Sequence, residues 1–280
     1  MAAAHYENFP VASRLMPARM RPHIAAVYAF ARAADDVADE GDLGRPVRDA
    51  LLDAWIRRLH AAATAQEPGP RPEGREPAET VEIFLALGET IRRHQLPLSL
   101  FTDLISAFRQ DITVTRYASW PDLLDYCRRS ANPVGRLVLR IAGYSSEEFD
   151  RYSDSVCTAL QLTNFWQDLL IDADRGRIYL PEEERAAHGA REDDLRERRM
   201  TEAWRRAIAS ASERTRALFD AGRPVCDVVS GRLGYELRAT WLGGTRILDR
   251  LRAADYDVTH ERPALGAADL PWFFWRLLTW

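Results

Sequence analysis

Apolar residues recur every three or four positions along most of the chain, while the two-residue alternation typical of β-strands is almost absent. The stretch that begins at Pro22 is typical, because Ile24, Val27 and Ala31 fall on one side of a helix. This period predicts an all-α fold. The predicted helices are a first helix from Pro22, then Leu51–Ala63, Glu79–His94, Leu98–Phe108, Leu123–Leu139, Glu147–Leu170, Thr201–Ala221 and Gly222–Leu251.

Proline, glycine and mixed charge mark the interruptions between these helices. The segment Glu67–Pro77 is predicted to be a loop, and a break is expected at Gly176, with Pro181 in the first turn of a new helix. The charged stretch Glu182–Arg199 is interpreted as a solvated loop and helix face. No repeat, linker or shift in composition divides the chain. We therefore predict a single all-α domain over residues 1–280.

The composition excludes several classes of protein. A formal net charge of −4 argues against general nucleic-acid binding, which needs a basic surface. The three scattered cysteines lack metal-ligand spacing and are typical of a reducing compartment. Neither the N-terminal segment Met1–Arg21 nor any later stretch is apolar enough for a signal peptide or a membrane span. We therefore expect a cytoplasmic protein.

Acidic residues line one face of the first predicted helix. At about 100° per residue, one stripe contains Tyr28, Arg32, Asp35 and Asp39, with Asp36 to its side. Alanines and aromatic residues surround these acids, so we expect the carboxylates to be buried and to need a cation. Mg²⁺ suits them, because it is usually bound by one or two carboxylates together with substrate phosphate oxygens. Arg32 is a candidate phosphate ligand one turn before these acids. The alternative interpretation is a salt bridge to Asp36, and the two roles are compatible.

A second polar stripe runs through an unusually apolar helix, and it contains Gln161, Asn164, Asp168 and Asp172. Either motif alone could be a polar helix face or a set of acids paired with nearby arginines. Two such motifs in one helical domain favour metal binding instead, on helices that face each other across a cavity. Arg175 and Arg177 follow the second motif around Gly176, and arginine is well shaped to bind phosphate.

Together these residues resemble the squalene/phytoene synthase family over nearly the whole chain. The resemblance is carried by His5–Ser13, by the Tyr28–Asp39 and Gln161–Asp172 motifs, by Arg177-Ile-Tyr-Leu-Pro181 and by Asp255–Arg262. It implies an isoprenoid synthase fold, in which a single bundle of helices surrounds a deep central cavity.

The resemblance also implies roles for individual residues. Mg²⁺ ions would be held by Asp35, Asp36, Asp39, Asn164, Asp168 and Asp172, of which Asp35, Asp39, Asp168 and Asp172 are the main catalytic carboxylates. The diphosphate of a prenyl substrate would be bound by Tyr28, Arg32, Gln161, Arg177 and Tyr179.

Within the family, the chain is most similar to bacterial hydroxysqualene synthases of the hopanoid pathway. Pointers are His5–Ser13, Arg109–Tyr117 and Tyr126–Gly135. The implied reaction ionises presqualene diphosphate, and water then captures the rearranged cation as hydroxysqualene. Tyr126, Ser130 and Asn132 are candidates for placing that water beside the substrate tails, because many relatives have an apolar segment there. Alternatively, Asn132 caps or kinks the helix beside Pro133.

Two other functions stay open from the sequence. The same acid motifs would serve the condensation of two farnesyl or geranylgeranyl diphosphates to presqualene diphosphate, squalene or phytoene. A non-catalytic binding or assembly protein of this fold is the alternative from another class, although such proteins typically lose the acids.

The last ten residues, Pro271–Trp280, are unusually aromatic. They predict either a final helix packed against the bundle or peripheral contact of Trp272–Trp280 with the inner face of a membrane. The segment is too short to span a bilayer.

Overall fold

The computed structural model describes residues 15–39, 43–66 and 79–280, and within these ranges no β-strand forms. The all-α prediction is confirmed. Two predicted segments, His5–Ser13 and Glu67–Pro77, lie outside the described residues. The helices are α1 (Arg21–Asp39), α2 (Arg45–Ala63), α3 (Thr80–His94), α4 (Leu98–Asp111), α5 (Trp120–Ser130), α6 (Asn132–Ala142), α7 (Glu147–Gln167), α8 (Leu169–Asp174), α9 (Glu182–His188), α10 (Glu192–Arg196), α11 (Glu202–Gly222), α12 (Val225–Val228), α13 (Gly231–Ala253) and α14 (Leu270–Leu278).

Three predicted helices are each divided in two. The first division falls at Ala131, because Pro133 cannot continue a helix but fits the first turn of α6. The second falls at Asp168, whose φ of −100° and ψ of 12° depart from helical values. The third separates α12 from α13, where Gly231 has a φ of +67°.

The stretch Glu182–Arg199 is not simply solvated, which corrects the prediction for it. Glu184 and Arg185 are buried, and the Trp120 indole N–H donates to Glu184 at 2.7 Å. Arg185 donates to the Leu180 carbonyl at 3.2 Å and to the Glu192 carboxylate at 2.9 Å. Buried charges are stable only when paired in this way. Some of the charged side chains of this stretch therefore lie inside the protein and not at its surface.

The described residues form two compact units. The first contains the described part of Met1–Thr113 together with Pro133–Asp150. Its core holds one large aromatic residue from each of α1 to α4, namely Phe30, Trp55, Phe84 and Phe101. The Phe30 ring lies 5.4 Å from Phe101, 5.8 Å from Phe84 and 6.1 Å from Trp55. These contacts fix the rotation of α1, so that its polar stripe lies away from the core.

The second unit contains Val114–Asn132 and Arg151–Trp280. Within it, α11 packs against α9 and α13, and α13 also contacts α12 and α14. Its buried indoles are hydrogen-bonded, as is usual for buried tryptophan. Trp166 donates to the Thr215 hydroxyl at 2.9 Å, and Trp204 donates to the Arg191 carbonyl at 2.8 Å.

The aromatic C-terminal segment forms α14, which packs against α13 while several of its apolar side chains stay exposed. None of the helices in the described ranges has both the length and the hydropathy needed to cross a bilayer.

Two adjacent glycines in α13 provide a matched test of the packing in the second unit. A methyl group at Gly244 would overlap the Phe219 ring and lie 2.8 Å from Leu160, whereas at Gly243 its nearest neighbour would be 3.5 Å away. We expect Gly244→Ala to destabilise the protein by about 1–3 kcal/mol. Gly243→Ala should be neutral or stabilising by up to about 1 kcal/mol, because alanine favours a helix. Urea denaturation of both variants measures the difference, and equal values would contradict the packing described.

Candidate functional site

The polar stripe of α1 is solvent-accessible, which corrects the expectation that its acids are buried. The side chains of Asp35 and Asp36 are 41% and 33% exposed, and Asp39 is exposed. The Arg32 guanidinium lies 2.5 Å from an Asp36 oxygen and 3.4 Å from Asp35. The predicted salt bridge between Arg32 and Asp36 is therefore confirmed. Tyr28, one turn earlier, is half-buried.

The second motif crosses the junction between α7 and α8 without losing its helical spacing. The backbone N–H of Asp168 donates to the Asn164 carbonyl at 2.8 Å, and that of Asp172 donates to the Asp168 carbonyl at 2.8 Å. The four polar side chains are half-buried, whereas Leu162, Phe165 and Trp166 beside them are buried. The polar stripe of this helix therefore keeps the predicted spacing.

Asp168 is held by an arginine that the sequence motifs did not single out. The Arg262 Nε and Nη2 atoms donate to the two carboxylate oxygens of Asp168, the second at 3.2 Å. Close by, the Gln167 side-chain amide donates to the carbonyl of Pro263. In the sequence, Arg262 is distinguished only as the last residue of the Asp255–Arg262 segment. Its partner lies 94 positions earlier in the chain, so no helical period could connect the two.

The turn after α8 carries Arg177 and Tyr179, and a neighbouring extended segment fixes it. Gly176 has a φ of +79°, which confirms the predicted break, and the Arg177 N–H donates to the Asp172 carbonyl at 2.8 Å. Ile178 pairs with Arg116 in an isolated parallel bridge.

Arg116 is a second residue whose role the sequence did not reveal. Its guanidinium donates to the Gly176 carbonyl at 2.7 Å and to both oxygens of Glu192, each at 2.9 Å. Glu192 also accepts from Arg185. Arg116 is thus a positioning residue that fixes the backbone beneath Arg177.

Tyr179 belongs to a cluster of four aromatic rings. It stacks on Phe165 with ring centroids 3.7 Å apart and planes 5° apart. The rings of Tyr117 and Tyr126 lie 5.9 and 6.2 Å from Tyr179. Tyr117, Tyr126 and Phe165 are buried, whereas Tyr179 is half-buried. The cluster brings Tyr126, a candidate for the tail pocket, together with Tyr179, a candidate for diphosphate binding.

The remaining two tail-pocket candidates differ in their hydrogen bonding. Asn132 is buried, and its side-chain oxygen accepts a hydrogen bond from the Thr158 hydroxyl at 2.9 Å. The helix does break beside Pro133, but this bond connects Asn132 to α7. The Ser130 hydroxyl oxygen is shielded from solvent and has no hydrogen-bond partner among the described residues. A buried hydroxyl without a partner is uncommon, and ordered water commonly fills that role.

The donor set of both acid motifs suits Mg²⁺. Within the described residues, no three side chains of histidine, cysteine, aspartate or glutamate converge as a preformed metal cage. Mg²⁺ rarely uses such cages and usually combines one or two carboxylates with water and substrate phosphate oxygens. The accessible carboxylates of Asp35 and Asp39, and those of Asp168 and Asp172, can supply that share.

The Arg116–Glu192 pair predicts a dependence of stability on pH. Hydrogen bonds from Arg116 lower the pKa of Glu192 below its ordinary value of 4.5 despite partial burial. The folded state therefore gains stability from this carboxylate above about pH 4.5, and loses it as the pH falls through the lowered pKa. Glu192→Gln should cost about 1 kcal/mol at pH 7, and the difference from wild type should shrink towards pH 3.

Urea denaturation between pH 3 and pH 7 tests this prediction. The matched control is Glu197→Gln, whose ion pair with Arg199 is largely exposed and should contribute little. A Glu192→Gln cost that does not vary with pH would contradict the assigned pairing.

Comparison with known proteins identifies the family. The family model described as "Squalene/phytoene synthase" matches residues 2–269. A hydroxysqualene synthase of Rhodopseudomonas palustris is 34% identical over 89% of this chain and 80% of its own length. One from Zymomonas mobilis is 38% identical over 82% of this chain and 74% of its own. The crystal structure of squalene synthase HpnC from Alicyclobacillus acidocaldarius is similar with a TM-score of 0.80, at 43% identity and 90% coverage of both chains. The chain belongs to the squalene/phytoene synthase family.

Proposed function

We propose that this chain ionises presqualene diphosphate with the help of Mg²⁺, and that water captures the resulting cation to give hydroxysqualene and pyrophosphate. The observation that carries the proposal is the arrangement of Asp168 and Asp172 directly before the turn with Arg177 and Tyr179. One short stretch of backbone would thereby carry both the carboxylates that bind metal and the side chains that bind the diphosphate. The choice of hydroxysqualene rests on the two hydroxysqualene synthases at 34% and 38% identity. The proposal includes a cytoplasmic location.

Mg²⁺ would supply Lewis-acid stabilisation of the negative charge that develops on the departing pyrophosphate. Asp35, Asp39, Asp168 and Asp172 would be its main protein ligands, assisted by Asp36 and Asn164. Tyr28, Arg32, Gln161, Arg177 and Tyr179 would bind the diphosphate. Arg32, which pairs with Asp36 in the structure, would exchange this carboxylate for the diphosphate. Arginine suits such an exchange, because its guanidinium binds carboxylate and phosphate through the same pair of N–H groups.

The aromatic cluster would line the path of the carbocation. The faces of aromatic rings attract cations, and the stacked pair of Phe165 and Tyr179 offers such faces beside the diphosphate ligands. The burial of Tyr117 and Tyr126 would keep stray water away from the cation.

Among the three candidates for placing the attacking water, Ser130 is the one that we favour. The Asn132 side-chain oxygen already accepts from Thr158. The Ser130 hydroxyl has no hydrogen-bond partner in the described parts of the chain, and one water molecule would satisfy it. Ser130 follows Tyr126 by four residues on α5, so both side chains lie on the same face of that helix.

The second candidate function is the condensation of two farnesyl diphosphates to presqualene diphosphate or squalene. The similarity to a protein described as a squalene synthase favours it, and the acid motifs would serve either reaction. Mass spectrometry of the products separates the two. Purified protein with Mg²⁺ should convert presqualene diphosphate to hydroxysqualene without NADPH and leave farnesyl diphosphate largely unchanged. Consumption of farnesyl diphosphate would support the condensation, and turnover of neither substrate would favour a non-catalytic binding protein.

Asp168→Asn tests the metal-binding assignment. Removing the negative charge should lower Mg²⁺-dependent release of pyrophosphate by at least about 100-fold, the scale for losing one group that stabilises developing charge. The matched control is Asp174→Asn, at an exposed aspartate six residues later that pairs with Arg198. The control should keep its activity. Full activity of Asp168→Asn would rule out its role as a metal ligand.

Ser130→Ala tests the placing of water. We expect pyrophosphate release to continue while the hydroxylated share of the product falls several-fold, because ionisation does not need the captured water. The control is Ser155→Ala, whose hydroxyl donates to the Arg151 carbonyl of its own helix at 3.0 Å. An unchanged product ratio in Ser130→Ala would remove this residue from the proposal.

A further inference from the structure

Helix α14 presents an apolar face to solvent. Leu270, Phe274, Trp275 and Leu278 have exposed fractions of 54%, 65%, 66% and 84%. Their spacing of four, one and three residues places them on one side of the helix. We call these four residues the aromatic foot. An exposed cluster with two large aromatic residues is unusual on a protein surface and typically marks an interaction site.

The opposite side of α14, and Trp280 two residues beyond its end, contact neighbouring helices, so the exposure is not that of a frayed end. The Arg246 guanidinium lies 5.1 Å from the centre of the Trp272 ring. The Trp280 indole N–H donates to the Asp227 carboxylate at 2.6 Å, and its ring meets Trp241 edge-on at 5.5 Å. The expectation that this segment packs against the helices therefore holds for one of its faces.

The N-terminal end of α14 is anchored by the buried carboxylate of Asp269. That carboxylate accepts from Arg246 at 2.9 Å, from Arg250 at 2.7 Å and from the Gly266 N–H at 2.9 Å. The Gly266 bond and the two arginines lower the pKa of Asp269 to about 2. With both ends held, the aromatic foot keeps its orientation at neutral pH.

The charges around α14 are predominantly positive. Arg276 lies on the helix itself, and Arg223 and Arg238 lie over the Trp280 ring at 4.5 and 5.3 Å. Within the part of the chain that the structure describes, the charged side chains on α14 and those that contact the Trp272 ring, Trp280 or the Asp269 carboxylate carry a net charge of +3. They are five arginines (Arg223, Arg238, Arg246, Arg250 and Arg276) and two aspartates (Asp227 and Asp269 itself). The whole chain has a net charge of −4, so the charge of this region is opposite in sign to that of the whole chain.

We propose that the aromatic foot docks on the surface of an anionic lipid bilayer. A short helix with tryptophan, phenylalanine and leucine on one face and arginine nearby suits the headgroup boundary, where aromatic rings are buried and cations meet anionic lipids. At nine residues, α14 is about 13.5 Å long, so it would lie in the plane of the interface. A second copy of the chain is disfavoured, because a symmetric dimer through this face would oppose two regions of +3.

Co-flotation with phosphatidylcholine vesicles, with and without phosphatidylglycerol, tests the proposal on the full chain. Wild type should bind the vesicles that contain phosphatidylglycerol, more weakly as salt is raised. The double variant Phe274→Ser/Trp275→Ser should bind at least about tenfold less, because both side chains contribute apolar area to the interface. Arg276→Gln should weaken binding to the vesicles that contain phosphatidylglycerol and leave binding to pure phosphatidylcholine vesicles unchanged.

The matched control is Leu85→Ser, at an isolated leucine that is 58% exposed on α3 in the other unit. It should bind like wild type, and circular dichroism should report the same helix content for all variants. The proposal fails if wild type binds neither kind of vesicle, or if the double variant binds as well as wild type. It also fails if light scattering shows that wild type is a dimer and the double variant is a monomer, because the aromatic foot would then be an interface between copies of the chain. None of these outcomes depends on which diphosphate the protein uses.

Discussion

Pairing between arginine and carboxylate is the interaction on which the candidate site depends. Apart from histidine, arginine supplies every basic side chain of this sequence, which contains no lysine. Arg32 pairs with Asp36, Arg262 with Asp168, and Arg116 with Glu192. The first two pairs hold carboxylates proposed to bind metal, and the third supports the turn that carries Arg177. Because a guanidinium binds phosphate as readily as carboxylate, such pairs can orient the acids before a diphosphate arrives and then bind the diphosphate itself.

The aromatic cores give these pairs fixed positions. In the first unit, Phe30 contacts an aromatic residue from each of α2, α3 and α4, and this sets the side of α1 on which Arg32 and Asp35 lie. In the second unit, the stacked rings of Phe165 and Tyr179 tie the polar stripe of α7 to the turn after α8. Burying a large aromatic side chain stabilises the folded state by about 1.5–3 kcal/mol, and each well-placed pair of rings adds about 0.5–1.5 kcal/mol. Each polar stripe therefore has a defined side of its helix within its own unit, without being fully buried itself.

The sequence predicted the features that depend on local spacing. The helical period predicted most of the helices and the two polar stripes that contain Asp35 and Asp168. Each of these features depends only on residues within a few helical turns of one another. It did not predict that Arg262 holds Asp168, since 94 residues separate them. The division at Asp168 was also missed, because the surrounding leucines and tryptophan continue the apolar period without a proline or glycine. The burial of Glu184 depends on Trp120, which is distant in sequence. The membership of the family came from the combination of motifs, and the roles within the reaction stay predictions.

The origin of the oxygen atom in the product tests the proposed capture of water most directly. Purified wild-type protein would be given presqualene diphosphate and Mg²⁺ in water enriched in oxygen-18, without NADPH. The mass of the lipid product would then be measured by mass spectrometry. If solvent water captures the cation after pyrophosphate leaves, the product is hydroxysqualene that carries the heavy oxygen. A hydrocarbon product, or an alcohol without the label, would contradict it.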